Sequence, residues 1–264
     1  MTTPFDLDGH VAVVTGGNNG IGLGMARGLA KAGASVAIWG RNTERNESAR
    51  AELDGLGGGT VTAHACDVAR PEQVTAAMEE TLAAHGRLDA LIANAGIGGR
   101  KGPFHEMTLD DFHWVSSVNV DGVVLSFQAA IKQFMKQNET AGEGDRKGGA
   151  LVGVASLAGI EGAAGNVHYG ATKGAVLSIV RGVASEYGRH NIRVNSVLPG
   201  WIATDMTEGA QGNDVFTEKV IKRAPIRRWG SPDDFEGIAA YLAGPGAMYT
   251  SGQQFVIDGG YSIF

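Results

Sequence analysis

Residues 10–34 read HVAVVTGGNNGIGLGMARGLAKAGA, and the order of residue types within them sets the fold. His10 to Thr15 is a short β-branched run, the composition of a buried strand. It ends in a glycine-rich turn and passes into MARGLAKAGA, whose apolar residues recur at helical spacing. Strand, glycine turn and helix in that order make a place for an anion. The free N–H groups and dipole of the helix start face a turn whose glycines let a pyrophosphate come close. Gly16, Gly20 and Gly22 are the candidate cradle, with Asn18, Asn19 and Ile21 among them. The spacing Gly16-x-x-x-Gly20-x-Gly22 differs from the G-x-G-x-x-G dinucleotide fingerprint and forms a related pattern of its own.

The same alternation runs on through the chain. Strands are expected at Ser35–Trp39, Thr60–Cys66, Leu88–Ala93, Ala150–Ala155, Ile192–Leu198 and Gln253–Ile257. Helices are expected at Glu44–Leu56, Pro71–His85, Asp110–Lys136 and Tyr169–Gly188, and one starts at Ser231-Pro232. No linker or internal repeat interrupts them, so residues 1–264 form a single domain. Its expected class is α/β, a doubly wound parallel sheet of seven strands with helices on both faces. Residues 137–149, polar and glycine-rich, read as a mobile surface loop without chemistry. Residues 201–225 lose periodicity, as a lid over a substrate pocket does.

Composition excludes several function classes. The 264 residues carry a formal charge of -6, so no basic stripe invites nucleic acid or an anionic membrane surface. No apolar run is long enough to span a bilayer, and MTTPFDLDGH lacks the basic and apolar regions of a signal peptide. The single cysteine, Cys66, cannot form an internal disulfide and reads as a buried thiol. A reducing, cytoplasmic location fits, and no metal ligands are assigned.

The strand ends carry the chemistry, because ligands of parallel sheets bind at that edge. Gly40-Arg41-Asn42 follows the second strand, and no carboxylate stands there to take a ribose 2′-hydroxyl. Arg41, helped by Asn42, is therefore assigned to the 2′-phosphate of NADP(H), which is preferred over NAD(H). Asp67-Val68 closes the third strand, and Asp67 either accepts from an adenine amino group or starts the next helix. Asn94-Ala95-Gly96 closes the fourth, where small residues let a cofactor pass and Asn94 can brace the neighbouring strands. Asn119 sits inside the long helix, where asparagine is a poor residue without a task. Such a task is to organise a water beside Lys173; a satisfied core amide is the alternative.

In Tyr169-Gly170-Ala171-Thr172-Lys173 a weak acid and a cation stand four apart, on one face of a helix. An ammonium beside a phenol stabilises the phenolate and draws its pKa toward neutrality, which makes Tyr169 the candidate general acid/base. Ser156, at the end of the fifth strand, can hold a carbonyl oxygen while Tyr169 gives the proton.

With these motifs in order over nearly its whole length, the chain resembles the short-chain dehydrogenase/reductase family, its 3-oxoacyl-ACP reductase-like members in particular. The resemblance implies a Rossmann fold, usually a homotetramer, and a catalytic tetrad falling on Asn119, Ser156, Tyr169 and Lys173. It implies that Lys173 also binds the nicotinamide ribose, and that Pro199, Gly200, Ile202 and Thr204 line the nicotinamide end. The expected reaction is hydride transfer between a nicotinamide cofactor and a ketone or secondary alcohol, the small-molecule partner. Substrates in view are a 3-oxoacyl thioester or a sugar or cyclic alcohol. A catalytically silent nucleotide sensor is the reading from another class, and the complete tetrad argues against it.

Overall fold

A computed structural model describes residues 3–142 and 147–264. Its strands are β1 (Val11–Thr15), β2 (Ser35–Gly40), β3 (Val61–Ala65), β4 (Ala90–Ala93), β5 (Gly149–Val154), β6 (Ile192–Pro199) and β7 (Gln254–Ile257). They form one sheet of 7 strands in the order β3-β2-β1-β4-β5-β6-β7, every pairing parallel. The α-helices are α1 (Gly20–Lys31), α2 (Thr43–Asp54), α3 (Pro71–His85), α4 (Leu109–Ser116) and α5 (Gly122–Thr140). After them come α6 (Ala158–Glu161), α7 (Val167–Tyr187), α8 (Glu208–Gln211), α9 (Asp214–Arg223) and α10 (Glu236–Ala243).

The strands read as unbroken apolar runs because both sheet faces are covered. In β1, Ala12 and Val14 point into a core shared with α1, α2 and α10, while Val13 points into the opposite core with α3, α5 and α7. Helix α1 approaches α10 and the turn before it closely enough to require glycine. A Cβ on Gly24 would lie 2.0 Å from the Pro232 carbonyl oxygen, and one on Gly28 would lie 2.2 Å from that of Glu236. The order of the sheet reverses between β1 and β4, and a crevice opens there beyond the carboxyl ends of the strands.

The structure corrects three expectations. The long helix 110–136 is two helices joined by a π-turn, Ser117–Asp121, and the second runs on to Thr140. The loop expected from Gln137 is thus helical in its first residues and pinned: Gln137 accepts from Leu88 N at 2.9 Å and donates to Leu88 O at 2.8 Å. Residues 143–146 of that loop lie outside the described residues. The lid, expected to be irregular, contains α8 and α9, the latter capped by Asn213, whose side chain accepts from Phe216 N at 3.0 Å. An isolated bridge between Ile202 and Gly230 ties its start to the chain beyond it.

Candidate active site

The crevice is a cleft of about 730 Å³, within the range of small-molecule sites. The loop after β1 forms one wall. Gly16 and Gly20 take φ values of 63° and 53°, the left-handed region that glycine tolerates. Asn19 caps α1, its side chain accepting from Gly20 N at 2.8 Å, so the helix start opens onto the cleft. Asn18 lines the cleft but gives its amide to Asn46 Oδ1 at 2.7 Å, and Asn46 donates in turn to the Gly40 carbonyl at 2.9 Å. Gly22 stands behind this wall rather than in it. A Cβ there would sit 2.2 Å from the Gly16 carbonyl oxygen and 2.4 Å from Asn94 Nδ2, so Gly22 lets the loop pack rather than touching a ligand.

Asn94 braces the strands as expected. Its backbone N–H donates to Thr15 Oγ1 at 3.0 Å, and its amide donates to the carbonyls of Thr15 at 3.1 Å and Gly16 at 3.2 Å. Ile21, Val68, Ala95, Gly96 and Thr204 line the cleft as well. Asp67 reaches it too, but does not start α3, whose N-cap is Arg70. The Asp67 carboxylate instead accepts from Ala69 N at 3.1 Å within its own turn. Arg41 is exposed at the mouth, whereas Asn42 caps α2 by accepting from Arg45 N at 2.9 Å. From the segment assigned to the nicotinamide end, Thr204 alone forms cleft wall. Pro199 is buried at the end of β6, Gly200 packs against Asp258, and Ile202 is buried in the core against Gly230.

Lys173 is 5% exposed on α7, and its Nζ donates to the Val154 carbonyl at 2.8 Å and lies 5.7 Å from the centroid of the Tyr169 ring. A Cβ on Gly96 would come within 3.5 Å of that Nζ, which places the ammonium directly behind the cleft wall. Ser156 accepts from Ala158 N at 3.2 Å and stands close enough to the Tyr169 hydroxyl to favour its phenolate. Asn119 is fully buried in the π-turn; its Oδ1 accepts from Ile97 N at 2.8 Å and its Nδ2 donates to Ile97 O at 3.0 Å and Thr172 Oγ1 at 3.1 Å. The amide therefore couples the exit of β4 to α7.

The electrostatics depart from the expectation. Tyr169 is not drawn toward neutrality. Burial pushes its pKa above the ordinary value, and the nearby Ser156 hydroxyl opposes that rise. Lys173 itself is lowered by burial from 10.5 to about 8. Burial sets the direction of both shifts, and the ammonium is bonded to the Val154 carbonyl and faces the Tyr169 ring.

Sequence reading missed Arg45 and Asp205, which also line the cleft. Arg45 Nη1 bonds Asp205 Oδ2 at 3.0 Å, and Asn19 donates to the same oxygen at 2.8 Å. The position of Arg45 four residues after Arg41 is the signal available in the sequence; nothing local marks Asp205 as its partner.

Comparison with known proteins adds a family and relatives. The profile of a family described as enoyl-(acyl carrier protein) reductase matches residues 16–262. Gluconate 5-dehydrogenase of Gluconobacter oxydans (strain 621H) is 34% identical over 261 residues, covering 98% of this chain and 97% of that protein. The 3-oxoacyl-[acyl-carrier-protein] reductase of Chlamydia muridarum (strain MoPn / Nigg) is 33% identical over 254 residues, covering 96% of this chain and 98% of its own. Among solved structures, a gluconate 5-dehydrogenase from Burkholderia cenocepacia J2315 in complex with NADP and tartrate superposes with a TM-score of 0.89. It is 33% identical, over 98% of this chain and 97% of that one.

Proposed function

Because this chain belongs to the short-chain dehydrogenase/reductase family and so is an NAD(P)-dependent oxidoreductase acting on CH–OH groups, we propose that it uses NADP(H) and works through Asn119, Ser156, Tyr169 and Lys173. The observation that carries this reading is Lys173 facing the Tyr169 ring on the same helix, its ammonium directly behind the wall of the cleft.

The residues present fit a nicotinamide dinucleotide. The start of α1 with Asn19 and Gly20 offers N–H groups to a pyrophosphate, and Asp67 and Val68 border an adenine position. Arg41 stands at the 2′-phosphate end, where β2 ends without a carboxylate. Bound there, the cofactor supplies the hydride acceptor or donor. Ser156 orients the substrate oxygen, and Tyr169 gives it a proton in reduction or takes one in oxidation. Asn119 holds β4 and α7 in register so that Lys173 can reach the ribose.

The substrate is a polyhydroxylated carbonyl compound or a 3-oxoacyl thioester, the two classes named for its relatives. A pocket of about 130 Å³ has a mixed wall, Arg100, Lys101, Glu106 and His168 alternating with Phe104 and Met107. Among the described residues no helix is long and apolar enough to cross a membrane. A cytoplasmic homotetramer completes the proposal, and exposed Leu109, Trp114, Ile263 and Phe264 are apolar surface that an assembly would cover.

The test is nicotinamide absorbance with NADPH and NADH across polyhydroxy ketones, acyl thioester analogues and, in reverse, alcohols and sugars. Turnover with NADPH that falls by about 10²- to 10⁴-fold in Tyr169→Phe, with cofactor binding retained, is the expected result. Cofactor binding without turnover on any substrate favours a nucleotide sensor instead, and near-normal turnover in Tyr169→Phe removes that residue from its role.

A further inference from the structure

Arg45 lies on the first turn of α2, four residues beyond Arg41, and its guanidinium reaches across the mouth of the cleft to the lid. There it meets Asp205 Oδ2 at 3.0 Å, the oxygen that also accepts from Asn19 at 2.8 Å. The glycine loop, the start of α2 and the lid therefore converge on one carboxylate oxygen. Thr204 adds to the contact, its Cγ2 lying 3.2 Å from the position of a Cβ on Gly20.

Two properties make this contact exchangeable. The side chains of Arg45 and Asp205 are 56% and 61% exposed, so water competes for both and the ion pair holds weakly. Asp205 also offers Arg45 a single contact, whereas the guanidinium fork is shaped for two parallel bonds to an oxyanion. A phosphate monoester carries more charge than a carboxylate and presents three acceptor oxygens.

We propose that Arg45 is a second receptor for the 2′-phosphate of NADP(H), held in the interim by Asp205 and surrendered to the phosphate when the cofactor enters. Arg41 and Arg45 then flank the phosphate from positions four apart at the capped start of α2, and Asp205 retains Asn19. With NAD(H) no group arrives to replace Asp205, and its pair with Arg45 persists. Asp205 thus sets cofactor choice by competing for an arginine, and the inference rests on the reading that this cleft takes a nicotinamide dinucleotide with NADP(H) preferred.

The experiment reads binding rather than turnover. Dissociation constants for NADPH, NADH, adenosine 2′-phosphate and adenosine 5′-phosphate are measured on wild type, Arg45→Ala, Asp205→Asn and the double variant. Arg45→Ala is expected to weaken NADPH and adenosine 2′-phosphate by about 10-fold or more, the scale of a lost charge-assisted contact, and to leave NADH and adenosine 5′-phosphate within about twofold. Asp205→Asn is expected to tighten NADPH when Arg45 is present and to leave it unchanged in the Arg45→Ala background, a coupling that the double-mutant cycle isolates. Equal loosening of both dinucleotides by Arg45→Ala, or the same effect of Asp205→Asn in both backgrounds, overturns the proposal. A wild type that binds NADH as tightly as NADPH defeats the underlying cofactor reading, whereas an NADPH preference that stays undiminished in Arg45→Ala defeats this inference alone.

Discussion

Raising the pH from neutral should stabilise this protein through Lys173, and by an amount its burial sets. The side chain is 5% exposed, and burial lowers its pKa from 10.5 to about 8. Between those values the unfolded chain binds a proton that the folded chain does not, so stability rises with pH across that window. The gap corresponds to about 3 kcal/mol of destabilisation near neutrality, most of which is recovered by about pH 10. The control is Lys173→Met, which keeps an unbranched apolar stem and removes the charge. The variant also loses the bond to the Val154 carbonyl, but at every pH, so that loss cancels in the comparison. Urea unfolding of both proteins at about pH 7 and pH 10 gives the difference directly. Wild type should gain roughly 2–3 kcal/mol more than Lys173→Met over this interval. An equal gain in the two proteins would refute the burial argument, because it would mean that the ammonium is as well solvated in the fold as outside it.

Gly22→Ala should melt earlier by at least about 1–3 kcal/mol of lost stability and lose dinucleotide affinity, since its Cβ would fall 2.2 Å from the Gly16 carbonyl oxygen; a normal melting temperature with normal binding would contradict the packing role. Cys66, whose thiol burial pushes up to about 12, should resist a thiol reagent at about pH 8 in the native protein and label fully in denaturant. Rapid native labelling would show the thiol to be accessible. Asn119→Leu should lower both melting temperature and turnover, because the Ile97 N–H and carbonyl lose their partner at about 1–3 kcal/mol for each group left unsatisfied. Wild-type turnover in that variant would reduce Asn119 to a replaceable core residue.

Much of the site was legible because its signals are local. A β-branched run, a glycine turn and a helix at residues 10–34 specify a helix start at the carboxyl edge of the sheet whatever surrounds them, and Tyr169 and Lys173 share a helix face by spacing alone. Pro71–His85 was found to the residue, since proline at the first turn and Gly86 beyond the last mark both ends. The π-turn around Asn119 was not legible, because the apolar period runs through it almost unbroken. Helix α9 was missed for the opposite reason: of its ten residues only Val220 is buried, too little to write a period.

What the sequence by itself determined is the succession of strands and helices, hence the parallel sheet and the edge where its ligands bind. The period of apolar residues states which face of each element must leave water. The tertiary structure decided which covered faces meet. Only the fold brings Arg45 to Asp205 across 160 positions of chain, or sets the Lys173 ammonium on the Val154 carbonyl instead of beside the Tyr169 hydroxyl. For that reason the pair at residues 169 and 173 could be recognised from spacing while its electrostatics could not. Spacing places two groups near one another, but their protonation depends on desolvation and on third partners that the chain supplies from elsewhere.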